Sequence, residues 1–350
     1  MEPFSDVELR LAARNHGMPL EALRYPLTPA GLHYLLIHYD IPAVDPDTFT
    51  LEIGGLVDNP LALSLGDFRS RRAVEHEVTL ECAGNGRALL PSPRPVSQPW
   101  LAEAVGNAAW RGVRLADLLD EAQPRDDAVE AVFTGLDEGL EGGERQAYER
   151  SLTLDEAWAS DAILAYEMNG QPLLPQHGFP LRLVVPGWYG MTHVKWLTRI
   201  TLVDEPFTGY QQANAYYFRR GEDDPGTPVT RILPRALMIP PGIAGFPERE
   251  RTLDAGETTI EGRAWSGWAP VESVEVSVDG GAAWAPAELD PPQSTWGWRG
   301  WRFAWEATPG EHVLCCRARD AAGNAQPDEA DWNVGGYANN GVQRVAVTVA

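Results

Sequence analysis

Hydrophobic and polar residues alternate with a period of two along much of this chain, the pattern of strands with one buried face. Thr48–Gly55 alternates and ends in a turn, and Val78-Thr79-Leu80-Glu81-Cys82 alternates with Cys82 at the apolar end. Shorter apolar runs at Val129–Thr134, Ala162–Tyr166 and Leu181–Val185 predict further strands, the last two fully buried. Val194–Val203 predicts a strand or a helix–strand segment, and Leu32–Pro42 a strand-like run that carries His33 and His38. Helical patterns are fewer: Leu63–Arg72 with Ser64 as a possible N-cap, a turn into a helix over Trp110–Leu119, and Leu154–Ala159. Residues 91–99 hold Pro91, Pro93, Pro95 and Pro99 and read as an irregular loop; 136–146, rich in Gly and Glu, read as mobile.

Strands and helices alternate to about residue 205, which indicates an α/β or α+β region. The pattern changes near residue 234. Beyond Pro240-Pro241-Gly242 the helical period is lost, and short alternating runs follow at 258–264, 271–278, 298–305, 312–319 and 342–349. Asp279-Gly280-Gly281 is a hairpin-turn signal among them, and the spacing predicts a β-sandwich. The expected organisation is α+β, a mixed domain over 1–234 followed by an all-β domain over 235–350.

Composition narrows the function classes. The 350 residues carry a net charge of -22, which argues against nucleic-acid and anionic-membrane partners. With 44% hydrophobic residues and no long apolar run, the chain reads as soluble and globular. Its N-terminus has neither a basic region nor an apolar one of the kind a leader needs, so a cytoplasmic location is expected. Three cysteines, Cys82 and the adjacent Cys315-Cys316, do not make a disulfide framework, a zinc pair, an iron–sulfur spacing or a haem attachment site. Neighbours on a strand point to opposite faces, so Cys315 and Cys316 are expected to be structural. Eight of the 13 tryptophans lie beyond residue 264, which suits a sandwich core and a contact surface.

Two stretches carry candidate chemistry. In Cys82-Ala83-Gly84-Asn85-Gly86-Arg87 a thiol at a strand end is followed by a glycine-rich turn and a cation. Glycine allows close backbone approach to a bound group, and the cation favours the thiolate, which serves as nucleophile, redox group or metal ligand. The segment His177–Trp196 holds His177, Arg182, His193 and Lys195 and no acid, in a chain that is otherwise strongly acidic. Arg182 supplies a planar fork and Lys195 a point charge, a combination suited to a phosphate or an oxyanion. His193 and Lys195, two apart, would face the same way on a strand.

Glu81–Arg87, the run Ala165-Tyr166-Glu167-Met168-Asn169-Gly170-Gln171-Pro172-Leu173, His177–Arg182 and Val194-Lys195-Trp196-Leu197 together resemble the sulfite oxidase family of molybdopterin enzymes. Arg263-Ala264-Trp265-Ser266-Gly267, Val274–Gly281 and Trp332-Asn333 look like that family's immunoglobulin-like dimerisation domain, so the resemblance covers nearly the whole chain. It implies that Cys82 is the protein thiolate on molybdenum. It implies that His38, His177, Arg182 and Lys195, with Ser151 and His193, hold the molybdopterin and its phosphate. Tyr216 matches the family's active-site tyrosine, and Arg87 and Trp100 match residues lining its substrate pocket. The implied reaction is a two-electron oxygen-atom transfer, sulfite to sulfate or on a related small sulfur compound or oxyanion. A homodimer is implied; no haem is expected, unlike the vertebrate-type members of the family, so electrons are expected to leave to a separate acceptor, a cytochrome or oxygen.

The chain departs from the family pattern in two places. Leu36 stands about where the family has an arginine ahead of the histidine matched by His38, and Val334-Gly335-Gly336 follow Trp332-Asn333 where another arginine can occur. These departures keep open a molybdopterin-dependent reductase of sulfoxides or of another oxyanion, and a non-catalytic assembly protein on the same scaffold forms a third reading.

Overall fold

A computed structural model describes residues 3–221 and 223–350. The molecule is mostly β with few, short helices, so less helix forms than the alternation up to residue 205 suggests. A five-stranded sheet runs in the order Leu61–Ser64, Thr50–Gly55, Leu197–Val203, Glu130–Glu141, Glu144–Thr153. Only Thr50–Gly55 and Leu197–Val203 pair in parallel there, with Glu52 opposite Arg199. A second sheet lays Val74–Glu81 against Val105–Arg114 and then Ile163–Met168, which also pairs Arg182–Val184. Leu51, Phe68, Leu118, Phe133, Leu164 and Ile200 fill a core associated with these strands and the short helices beside them. The helices start where the sequence supplies caps: Ser64 and Asp67 close a capping box on Leu65–Ser70, and Thr153 and Glu156 one on Leu154–Ala159.

Three local expectations are corrected. Leu32–Pro42 is not a strand but an irregular segment, tied by Leu35 to His16 and by Ile37 N–H to the side chain of Asn15. Residues 136–146 are an ordered hairpin between Glu130–Glu141 and Glu144–Thr153, closed by Gly142 and Gly143 at φ 63° and 87°. The glycines that suggested mobility are the ones such a tight turn requires. Trp110 lies inside the strand Val105–Arg114, and the helix begins only at Leu115.

Two further sheets are built after Pro234. Arg235–Met238, Gly256–Trp265, Arg299–Ala307 and Glu288–Leu289 form one; Ile243–Ala244, Arg251–Leu253, Gln343–Val349, Gly310–Asp320, Val271–Ser277 and Ala285–Pro286 form the other. Ile260, Val274, Trp301, Trp305, Leu314, Cys316 and Val347 share one core among them. Cys316 points into it, while Cys315 lies near the Arg344 guanidinium, 3.6 Å away. Trp265, Trp296 and Trp298 serve the contact with the preceding part of the chain: Trp298 Nε1 donates to the Pro26 carbonyl and Trp296 Nε1 to Asp161, each at 2.8 Å.

Candidate active site

The strand Val74–Glu81 delivers Cys82 to the wall of a narrow, partly open cleft. Past Cys82 the backbone turns sharply. Asn85 is buried and staples the turn, donating from Nδ2 to Glu81 and to the Ala102 carbonyl while its Oδ1 accepts from the Ala104 amide. Gly86 has φ 87°, the left-handed region, and Gly84 leaves room for Arg87, whose Nη2 lies 2.5 Å from where a Cβ would stand. Burial pushes the Cys82 thiol up; Arg87, the Gly84 amide and the Trp100 indole N–H all favour the thiolate.

The Cys82 segment is also gripped from beyond residue 234. Glu81 accepts from Arg235 at 2.9 Å and from Trp265 Nε1 at 2.8 Å, all three buried. The Ala338 amide donates to the Ala83 carbonyl, and Asn339 Nδ2 to that of Gly86. Arg87 donates from Nε to the Gly335 carbonyl at 3.0 Å. Val334-Gly335-Gly336 thus reaches the site and presents a carbonyl, not a side-chain cation, to Arg87, and Gly336 packs so closely that a Cβ would fall 2.7 Å from Arg87 Cγ.

Cys82, His38, His177, Arg182, His193, Lys195 and Tyr216 all line the cleft, together with Leu36. Arg87 and Trp100 flank Cys82 without lining it. Ser151 is not among the lining residues; its Oγ is buried on the strand Glu144–Thr153 with no hydrogen-bond partner. The expected strand through His193 and Lys195 begins only at Leu197, because residues 190–192 form a 3-10 turn and Trp196 has φ 49°. Both side chains nevertheless reach the cleft. His193 has both ring nitrogens engaged with backbone, Nδ1 with the Val185 amide and Nε2 with the Trp188 carbonyl. Lys195 Nζ donates to the Leu36 carbonyl at 2.7 Å. Tyr216, at φ 59°, pairs its hydroxyl with His38 Nε2 at 2.7 Å.

Burial dominates the electrostatics. It lowers His33 to about 4, His38 and His193 to about 3 and His177 to about 2, so these rings are neutral at ordinary pH. Burial lowers Arg182 to about 10, leaving it a cation, and burial and then Arg182 push Lys195 down. Among the described residues neither Arg182 nor Lys195 pairs with a carboxylate. Asp137, the one acid in the wall, is itself pushed up by burial. Arg182 Nε is a buried donor without a partner, and His33 Nε2 and Asp137 Oδ1 are buried acceptors without one. A buried guanidinium with an unused donor favours an anionic group.

His33, Tyr34, Asp137, Tyr148 and Gln176 are further polar or aromatic members of the wall. His33 and Tyr34 lie in the run that looked like a strand, where alternation would have put them on opposite faces. Asp137 and Tyr148 lie on the hairpin that read as mobile or next to it. Nothing in their local sequence marks them.

A family model described as an oxidoreductase molybdopterin binding domain matches residues 38–211, and one described as a Mo-co oxidoreductase dimerisation domain matches 243–350. Human mitochondrial sulfite oxidase is 37% identical over 374 residues, covering 100% of this chain and 68% of its own length. The chain belongs to the sulfite oxidase family. It is an enzyme, a molybdenum-cofactor oxidoreductase of the sulfite oxidase type. A barley nitrate reductase from Hordeum vulgare is 33% identical over 92% of this chain, which spans 39% of that protein. The sulfane dehydrogenase SoxCD of Paracoccus pantotrophus shares the fold, with a TM-score of 0.84 at 24% identity over 99% of this chain and 88% of its own.

The residues present fit the family's cofactor. No group of three or more His, Cys, Asp or Glu among the described residues could hold a metal by itself, so a metal at Cys82 needs ligands brought with it. Sulfur ligands from a pterin would supply them, beside a soft protein thiolate.

Proposed function

We propose that this enzyme catalyses two-electron oxygen-atom transfer on a small sulfur oxyanion, with sulfite oxidised to sulfate. The observation that carries the reading is Cys82 in the wall of a cleft whose buried cations, Arg182 and Lys195, make no ion pair among the described residues, with Asp137 the one acid in the wall. The oxidation of sulfite is what the names of its relatives state for those proteins.

In this reading Cys82 holds molybdenum as a thiolate. Arg182, Lys195, His177 and His38 grip the pterin and its phosphate, with Ser151 and His193 beside them. The molybdenum cofactor supplies the transferable oxygen and accepts the two electrons. The chain's own residues do the rest. Arg182 and Lys195 balance the phosphate charge away from water. Arg87, held rigid by the Gly335 carbonyl and by Ser97 and Gln98, keeps a fixed positive charge beside Cys82, and it needs no reorganisation when charge develops there. Trp100 closes the site beside the thiolate. The Tyr216 hydroxyl, poised on His38, is the neutral donor that orients an anion. Residues 235–350, read as an immunoglobulin-like unit, brace the Cys82 loop and carry the homodimer contact that the dimerisation-domain match supports. A cytochrome or oxygen would take the electrons.

The test is made on protein produced in a host that synthesises the cofactor. Molybdenum is expected near one atom per chain, with sulfite-dependent reduction of an artificial acceptor; Cys82→Ser is expected to keep the pterin and lose turnover. Metal-free protein from such a host would defeat the reading. Faster viologen-driven reduction of sulfoxides than oxidation of sulfite would instead assign the reverse direction.

A further inference from the structure

Arg150 is a buried cation that neither the cofactor nor the fold accounts for. It lies on the strand Glu144–Thr153 two positions beyond Tyr148, and residues two apart on a strand share a face. Tyr148 lines the cleft and packs against His38, the rings tilted by 37° with centroids 4.7 Å apart. The Arg150 side chain is buried, at 5% exposure. Its guanidinium carbon lies 5.6 Å from the centre of the Tyr216 ring. Nη1 donates to the Gln211 carbonyl, Nε has no partner, and among the described residues no carboxylate pairs with it. An arginine buried without a counter-charge is costly unless something anionic comes near it.

The surroundings extend this contact. Tyr216 packs against Tyr337, the rings tilted by 33° with centroids 5.0 Å apart, and Arg87 lies 5.3 Å from the Tyr337 ring at the other end of the pair. Two guanidiniums thus bracket the Tyr216–Tyr337 pair, one next to Cys82 and one behind Tyr216. Leu36 and Val334-Gly335-Gly336, the other stretches that reach this end of the site, carry no charge.

We infer that Arg150 sets the affinity of the site for a small anion, acting through Tyr216 as the second positive charge beside Arg87. It is a positioning residue: Tyr216 stands between it and the cleft, and its field strengthens the Tyr216 hydroxyl as a donor. The inference rests on the substrate reading above and names the residue that makes the site anion-selective.

The experiment compares wild type, Arg150→Met and Arg150→Lys as cofactor-loaded protein, with cofactor content and thermal midpoint recorded for each. Sulfate binding is measured by calorimetry, dimethyl sulfoxide binding by the same method, and sulfite turnover against an artificial acceptor. Arg150→Met is expected to weaken sulfate and raise the sulfite KM by about tenfold or more, the effect of one charge at intermediate range in a partly screened interior. The loss should fall on KM rather than kcat, and dimethyl sulfoxide binding should move far less than sulfate binding. Arg150→Lys, which keeps the charge, should hold sulfate affinity within about threefold of wild type. Sulfate affinity unchanged in Arg150→Met, or equal losses for sulfate and dimethyl sulfoxide, would overturn the inference. If the methionine variant does not fold, the lysine variant still decides it: a tenfold loss of sulfate affinity there would show that charge is not what matters. Wild-type protein that binds sulfate without oxidising sulfite would refute the substrate reading while leaving the binding comparison to judge Arg150.

Discussion

Cys82, Lys195 and Arg87 show how burial and neighbouring charge divide the work within one site. Burial holds the Cys82 thiol above its ordinary range and Arg87 works against it. Cofactor-free protein should therefore alkylate Cys82 with iodoacetamide more slowly than an exposed thiol at neutral pH. Arg87→Met should slow it by a further threefold or more, about the effect of losing one nearby cation; labelling followed by mass spectrometry reads both rates, and an accelerated rate in the variant would contradict the contact. Lys195 makes the opposite case. Its ammonium is pushed below the usual range by burial and then by Arg182. Without cofactor the folded protein therefore releases this proton at a pH where the unfolded chain still keeps it, and over that interval Lys195 makes folding more favourable as pH rises. A bound phosphate reverses the preference by favouring the charged form. Cofactor association should then take up a proton and weaken as pH rises through the lowered pKa of Lys195. Binding of released molybdopterin to cofactor-free protein at pH 6.5 and 8.5 checks the sign, and Lys195→Met should flatten the difference while weakening both values.

The strand Val74–Glu81 and its turn form the element on which the site depends. Its last residue, Glu81, is fixed from outside its own sheet by Arg235 and Trp265. Removing one partner of a buried ion pair leaves the other charge uncompensated, which costs about 3–5 kcal/mol. Arg235→Met should therefore lower the denaturant midpoint followed by tryptophan fluorescence, and it should also lower cofactor retention because Cys82 is the next residue. A shift in stability with full retention would separate the brace from the site. Within the turn, Gly84→Ala places a methyl group against the Arg87 guanidinium. That substitution should reduce kcat/KM by tenfold or so and lower the thermal midpoint as well, because the guanidinium it displaces is buried and held by three hydrogen bonds.

At the scale of the molecule, Ala83, Tyr189, Tyr216, Ile232, Trp265, Trp298 and Ala338 share one hydrophobic cluster, so the site is built partly on the contact between residues before and after 235. A fragment ending at residue 234 would expose that cluster and take from Glu81 and Arg87 their partners Arg235 and Gly335. It should fail to retain cofactor even where its strands form, and metal analysis beside circular dichroism would show the two effects separately. The match of 243–350 to a dimerisation domain predicts that the full chain sediments as a dimer at micromolar concentration. No helix among the described residues is long and apolar enough to cross a membrane.

Local pattern was enough to place much of the architecture. Strand alternation marks the strand that ends at Glu81, the Ser64 cap marks a helix start, and the short runs after residue 258 mark strands of the two later sheets, because each of these depends on neighbours in sequence. The candidate residues were legible for a similar reason: a cysteine before Gly-Asn-Gly-Arg and a cation-rich stretch without acids stand out against a chain of net charge -22. Local pattern failed where a partner far along the chain decides the conformation. The segment with His33 and His38 is held out of a sheet by Asn15 and His16, and the hairpin through Asp137 is ordered by pairing across its own length. The same holds for chemistry. Arg150 looks like one more charged residue in Tyr-Glu-Arg-Ser until the fold lays its guanidinium over Tyr216, 66 positions away, and Glu81 looks like a solvent-facing strand residue until Arg235 and Trp265 close on it. The sequence by itself determined which residues could carry a thiolate, a phosphate and an apolar core. Only the tertiary structure decided which charges are buried together and which remain without partners, because burial and charge compensation depend on distances that chain order does not encode.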